Sequence, residues 1–182
     1  MVSKRRKDNM IWIDMEMTGL FPEKHHIIEM ATIVTDKDLS ILAEGPHIAI
    51  YQPPKILADM DSWNRKQHGK SGLIDLIQES KIGLAKAEDL TLQFLKKYCY
   101  FHESPLCGNA VHHDRRFIKK YMHRLDRFLH YRHVDVSTVK ILVKNWYPKI
   151  KKRHSKKDAH RALDDIRESI EELKFYRKHY FV

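Results

Sequence analysis

The sequence predicts an α/β domain whose mixed sheet carries helices on its faces. Three observations predict it. Apolar and polar residues alternate with a period of two near the N-terminus, the pattern turns helical after Pro53-Pro54, and two short apolar segments at residues 105–109 and 131–136 interrupt the helical stretches. The resulting order, β-β-β-α-β-α-β-α, joins a meander to strands that return after helices, so parallel and antiparallel neighbours share one sheet.

The first strand is Ile11-Trp12-Ile13-Asp14-Met15-Glu16-Met17-Thr18, followed by Gly19-Leu20. Alternation sets Ile11, Ile13, Met15 and Met17 on one face and Trp12, Asp14, Glu16 and Thr18 on the other. Both carboxylates then leave a half-buried strand on the same side, where they repel each other and resist desolvation unless a cation is supplied. Residues 27–35, rich in β-branched side chains, form the second strand, Asp36-Lys37-Asp38 a turn, and residues 41–51 the third. Helical spacing predicts segments at 61–68, 72–79 and 85–100, the last with Leu92, Phe94 and Leu95 among its apolar positions. Pro105-Leu106-Cys107-Gly108-Asn109 reads as a short buried strand and turn, 114–124 as helix, and 131–136 as another short strand. Ser137 or Thr138 then caps a helix that ends at Trp146 before Pro148. A basic loop at 149–157 leads to a last helix over about 159–178.

At 182 residues, 42% hydrophobic and 32% charged, the chain fits one ordinary domain with a sizeable core. We expect residues 1–9 to be a basic tail and 10–180 a single domain. No apolar run approaches the roughly 20 residues of a membrane-spanning helix. The leader meets a strand pattern without a long apolar region or a small-residue cleavage site, so no secretion signal is expected. Cys99 and Cys107 are the only cysteines, too few for a disulfide framework and not spaced as a metal knuckle, which points to a reducing cytoplasm. The formal charge of +10 favours a polyanionic partner, although such a charge serves solubility equally well.

If Asp14 and Glu16 hold a hard divalent cation they need further oxygen donors. Asp114 follows Cys107-Gly108-Asn109-Ala110-Val111-His112-His113, where a buried strand gives way to a helix, the place where α/β sheets put ligands. On the last helix, with Ala162, Ile166, Ile170 and Leu173 as the buried stripe, Asp165 falls at the stripe's edge beside Ser169, while Asp164 lies with Glu168 and Glu171. Asp165 is the candidate ligand and Asp164 a solvated charge. His160, five residues before Asp165, carries a side chain whose ordinary pKa suits it to take a proton from a metal-bound water.

The segments IWIDMEMTGL, CGNAVHHDRRF, YRHVDVSTVK and HRALDDIRESIEELKFY, in this order over residues 10–180, resemble the four signatures of the oligoribonuclease family, DEDD-type 3′-to-5′ exonucleases with a histidine general base. The resemblance implies a ribonuclease H-like fold, a mixed five-stranded sheet flanked by helices. It implies that Asp14, Glu16, Asp114 and Asp165 hold two Mg²⁺ or Mn²⁺ ions, with His160 as base. Asp14 bridges both ions, Glu16 and Asp165 complete the site of the water-activating ion, and Asp114 serves the second. It further implies a homodimer that degrades short single-stranded RNA, especially dinucleotides, to nucleoside 5′-monophosphates. Leu20 and Trp63 match positions that grip the 3′ base, and His68 on the same helix approaches the terminal nucleotide. Tyr131, Arg132, Ser137 and Thr138 match the segment supplied across the dimer interface to stack the other base and hold the phosphate. The chain departs from the pattern at Ala110, where a serine usually adds a contact to the phosphate. That departure leaves a related exonuclease acting on DNA or longer RNA as the alternative.

Other features read as structural. His25-His26 and His112-His113 lack a third ligand at useful spacing for zinc. The segment KKRHSKK reads as a solvated loop that adds electrostatic attraction, and Ile166, Ile170 and Leu173 as core packing. A non-catalytic binding module of this fold would have lost an acid or the histidine, and none is lost.

Overall fold

The computed structural model describes residues 5–148 and 161–181. Three long strands open it, β1 (Met10–Met17), β2 (Ile27–Thr35) and β3 (Ile41–Ala49). Four helices follow, α1 (Pro54–Ala58), α2 (Ser62–Lys70), α3 (Leu73–Glu79) and α4 (Leu84–Leu95). The chain continues through β4 (Leu106–Gly108), α5 (His112–Tyr121), α6 (His123–Phe128), β5 (His133–Asp135), α7 (Val136–Trp146) and α8 (Ala162–Tyr180). The sheet order is β3-β2-β1-β4-β5, with β2 antiparallel to β1 and β3, and β4 parallel to β1 and β5. This is the mixed five-stranded sheet expected. β1, where the antiparallel half meets the parallel half, sits at its centre, and the C-terminal ends of β1 and β4 open a crevice there.

The period of two in β1 sorts the core into layers. Ile11, Ile13 and Met15 pack with Leu92 and Leu95 of α4, Phe117 and Ile118 of α5 and Leu125 of α6. Trp12 packs on the opposite face with Val136 and Val143 of α7 and Ala162, Ile166 and Ile170 of α8. Its ring is fully buried, and the indole N–H donates to Thr35 Oγ1 at 3.0 Å, so no polar atom of the side chain is stranded. Ile28 joins Leu57, Met60, Leu73 and Ile77 in a third cluster that seats α1 and α3 against the sheet. Of the basic leader, Arg5 Nε donates to Cys99 O at 2.9 Å and Asn9 Nδ2 to Tyr98 O at 2.8 Å, so residues 5–9 lie along the segment after α4. Cys99 and Cys107 are buried free thiols, and burial pushes Cys99 up to about 11, which keeps it protonated.

Several boundaries differ from those expected. The helix predicted over 114–124 is two helices, because the chain turns at Met122 and Glu88 of α4 accepts from the amides of Arg124 and Leu125 at 2.8 and 3.0 Å. The helix predicted to reach residue 100 ends at Leu95, and the short α1 was not foreseen. The cap of α7 is Asp135, not Ser137 or Thr138: its Oδ1 accepts from Ser137 N at 2.9 Å. Such a cap contributes about 0.5–2 kcal/mol. The last helix starts at Ala162, after the non-helical Arg161. The predicted basic loop at 149–157 lies outside the described residues.

Candidate active site

Asp14 and Glu16 leave β1 on the face that carries Trp12 and therefore point toward α8. Asp165 stands in the first turn of α8 and meets them there: one carboxylate oxygen from each of the three lies within 4.8 Å of the others. Asp114, in the first turn of α5, is buried and shares with Asp14 and Glu16 a cleft of about 250 Å³. Asp164 turns outward to Arg167 at 2.9 Å, as helical phase predicts. His160 lies outside the described residues.

The electrostatics of this cluster are unfavourable for bare carboxylates. Burial pushes Glu16 up to about 8, with Glu29, Asp165 and Asp114 adding repulsion and Arg161 opposing it. Asp14 is held well above the usual carboxylate range by burial first, then by Asp114, Glu16 and Asp165. Burial also pushes Asp114 up to about 8, against the pull of the Met15 backbone amide. Hard oxygen donors that converge and repel one another fit a divalent cation, whose charge attracts each carboxylate and outweighs their mutual repulsion. The acidic cluster is thus a site able to hold metal.

The rim is built by local constraints. Gly19 lets the His25 ring pack directly on the backbone, since a Cβ there would meet the ring at 2.6 Å and displace it. His25 Nδ1 accepts from Phe21 N at 2.9 Å and Thr18 Oγ1 accepts from His26 N at 3.0 Å, so the paired histidines shape the loop that presents Leu20. Leu20 and Trp63, 60% and 64% exposed, line the same cleft as the acids. His68, expected to approach the terminal nucleotide, is buried behind the side chains that line the cleft. It is 2% exposed, with Nε2 at 3.3 Å from Met17 O and 4.0 Å from Glu16 Oε2. Five residues beyond Trp63 on a helix of 3.6 per turn, it falls about 140° around the axis and faces inward.

Tyr131 and Arg132 are exposed on the turn before the edge strand β5, with the guanidinium 5.2 Å from the Tyr131 ring centroid. Thr138 is exposed at the start of α7. Ser137 already touches the chain's own cleft wall. Its Oγ accepts from Ala110 N at 3.1 Å and donates to Asn109 Oδ1 at 3.0 Å. Ala110 itself holds a positive φ of 51°, which Asp135 Oδ1 helps fix by accepting from Ala110 N at 3.0 Å.

Two residues escaped the sequence reading. Asn109 donates to Ser169 Oγ at 2.7 Å, and Ser169 Oγ donates to Asp165 O at 2.8 Å, so Asn109 braces α8 behind a cluster acid. Its position directly after the strand-ending glycine was the available signal. Glu29 sits fully buried opposite Glu16. A lone charged residue in a strand of apolar residues and threonines was the cue for it.

Residues 11–173 match the family model described as exonuclease. The chain is 56% identical over 172 residues to the oligoribonuclease of Coxiella burnetii, covering 94% of each chain. It is 55% identical over 172 residues to that of Pseudomonas aeruginosa, covering 94% of this chain and 96% of the relative. Exonuclease I of Methylocaldum szegediense superposes with a TM-score of 0.74 at 14% identity over 94% of this chain. E. coli exonuclease I in complex with a dA16 oligonucleotide gives 0.73 at 14% over 95%. This chain spans 41% of each of those two structures, and the likeness shows the fold, the ribonuclease H-like one. Identity above one half across nearly the whole of both sequences goes further than fold: this chain belongs to the oligoribonuclease family of exonucleases.

Proposed function

We propose that the chain is a 3′-to-5′ exoribonuclease that hydrolyses short oligoribonucleotides, especially dinucleotides, to nucleoside 5′-monophosphates with two divalent cations, Mg²⁺ or Mn²⁺. The observation that carries this is the convergence of Asp14, Glu16 and Asp165 at the cleft that Asp114, Leu20 and Trp63 share. When bound, the cation pair supplies a lowered pKa for the attacking water and charge stabilisation for the leaving oxygen. Asp14, which faces Asp114, Glu16 and Asp165, would contribute to the binding of both ions. In this reading Glu16 and Asp165 would hold one ion, Asp114 would serve the other, and His160, placed by sequence just ahead of α8, would act as the general base. His160→Ala is expected to lower kcat by about 10²–10⁴ and to remove the acidic limb of the pH–rate profile. An unchanged profile removes His160 from that role.

Leu20 and Trp63 grip the 3′ base, where a stack contributes about 1–3 kcal/mol. Tyr131 and Arg132, exposed before an edge strand, serve the site of a second copy, so the reading includes a homodimer. Ser137 and Thr138 at the head of α7 hold the phosphate. The hydroxyl hydrogen of Ser137 is committed to Asn109, so it has to rotate outward before it can donate to a phosphate oxygen. His68, buried with Nε2 4.0 Å from Glu16 Oε2, supports Glu16 from behind. The charge of +10 attracts short anionic chains, and the two buried free thiols suit a reducing cytoplasm. No described helix is long and apolar enough to cross a membrane.

Ala110 favours a second reading, an exonuclease acting on DNA or longer RNA, because it offers the phosphate no hydroxyl. A length series of 5′-labelled RNA and DNA, from dinucleotide upward, with and without divalent cation, decides between them. We expect the fastest turnover on the shortest RNA and none without cation. Equal rates at every length, on both nucleic acids, remove the short-RNA reading.

A further inference from the structure

Glu29 lies in β2 directly opposite Glu16 and is fully buried in a strand buried along its whole length. A carboxylate in such a place is costly unless every lone pair is used. Its partners come from two other elements. Oε1 accepts from His47 Nε2 of β3 at 2.8 Å and from Arg161 Nε and Nη2 at 3.0 Å, and Oε2 accepts from Ala162 N at 3.2 Å. Burial works to raise its pKa, but His47, the Ala162 amide and Arg161 together bring it below the usual carboxylate range, so it stays ionised.

The far end of this contact is the start of α8. Arg161 occupies the cap position and gives the helix no side-chain cap. A carboxylate from β2 performs that task instead, at the positive end of a long helix. The amides of Asp164 and Asp165 bond back to Arg161 O at 2.9 and 3.0 Å, so the first turn is fixed to the residue that Glu29 clamps.

We propose that Glu29 is a positioning residue that, through Arg161 and the first amide of α8, holds Asp165 against Asp14 and Glu16 at cation-binding distance. The inference rests on the cation reading above and extends it to a support that supplies no ligand itself. Glu29→Gln preserves volume but replaces one acceptor by an N–H₂ group facing donors, so one of these contacts becomes donor against donor.

The test is calorimetric titration of the metal-free dimer or monomer, as isolated, with Mn²⁺ alone and no RNA. Glu29→Gln is expected to bind Mn²⁺ about 10–100-fold more weakly. Turnover falls at limiting Mn²⁺, recovers toward the parent value at saturation, and the dinucleotide KM is unchanged. A role confined to fold stability predicts a parental Mn²⁺ affinity in the folded variant, and that result overturns the proposal. If Glu29→Gln lacks a native circular dichroism spectrum, Arg161→Lys decides. It keeps the charge but loses the two-nitrogen contact, and parental Mn²⁺ affinity in it likewise overturns the proposal. Asp165→Asn, titrated alongside, separates the two layers of argument. Parental affinity there removes the cation reading itself, whereas loss there with none in Glu29→Gln removes only the positioning role.

Discussion

Asp14→Ala is expected to reduce hydrolysis of a dinucleotide by at least about 10⁴-fold, which at ~1.36 kcal/mol per decade amounts to more than 5 kcal/mol of transition-state stabilisation. The size follows from geometry. Asp14 lies beside Asp114, Glu16 and Asp165 at once, so in the proposed two-cation reading its loss affects both ions, whereas loss of Asp114 affects one. The same coupling predicts an opposite effect on stability. Without cation Asp14 is desolvated and repelled by four neighbours, Asp114, Glu16, Asp165 and Glu29, so the isosteric Asp14→Asn relieves repulsion and raises the Tm of the cation-free protein while removing activity. Thermal melts in chelator, set beside turnover at saturating Mn²⁺, check both. A variant with near-normal turnover ends the metal assignment, and a lowered chelator Tm ends the claim that the bare acids repel.

What local sequence could reveal was whatever depends on residue period. Alternation in β1 placed Trp12, Asp14 and Glu16 together, and helical phase separated Asp165 from Asp164, since both patterns need only the chain's own geometry. The break at Met122 was not legible. Its cause is the Glu88 carboxylate, 36 residues from Arg124, which turns a continuous helical pattern into two helices. The α7 cap is a local feature that the apolar pattern hides: Val136 continues the strand-like run and points to Ser137 or Thr138 as cap, whereas Asp135 both ends β5 and caps the helix. His68 shows a third kind of limit. Its presence on the helix with Trp63 was plain, but which way it faced depended on helical phase relative to β1. Glu29 is the largest omission, because its meaning lies in partners from β3 and the head of α8 that no local pattern brings together.

Cation binding is expected to strengthen steeply with pH. In the cation-free protein burial lifts Glu16 from 4.5 to about 8 and Asp114 from 3.8 to about 8. Their folded pKa values lie above the unfolded ones, so between about pH 4 and about pH 8 the folded state binds more protons than the unfolded state, and stability falls as pH rises through that window. This is the reverse of an acid held in a salt bridge, whose contribution is lost as pH falls. A divalent cation binds the ionised carboxylates and releases their protons. Its affinity therefore rises by up to about tenfold per pH unit for each proton displaced, and levels off above about pH 8. Mn²⁺ titrations at about pH 6 and about pH 8, each in two buffers of different ionisation heat, measure the affinity and the proton count together. Mn²⁺ also raises Tm more at the higher pH, where the bare cluster is most destabilising. An affinity independent of pH, with no proton released, means that the acids are already ionised without the ion, and the repulsion that makes this cleft a cation site would then have to be small.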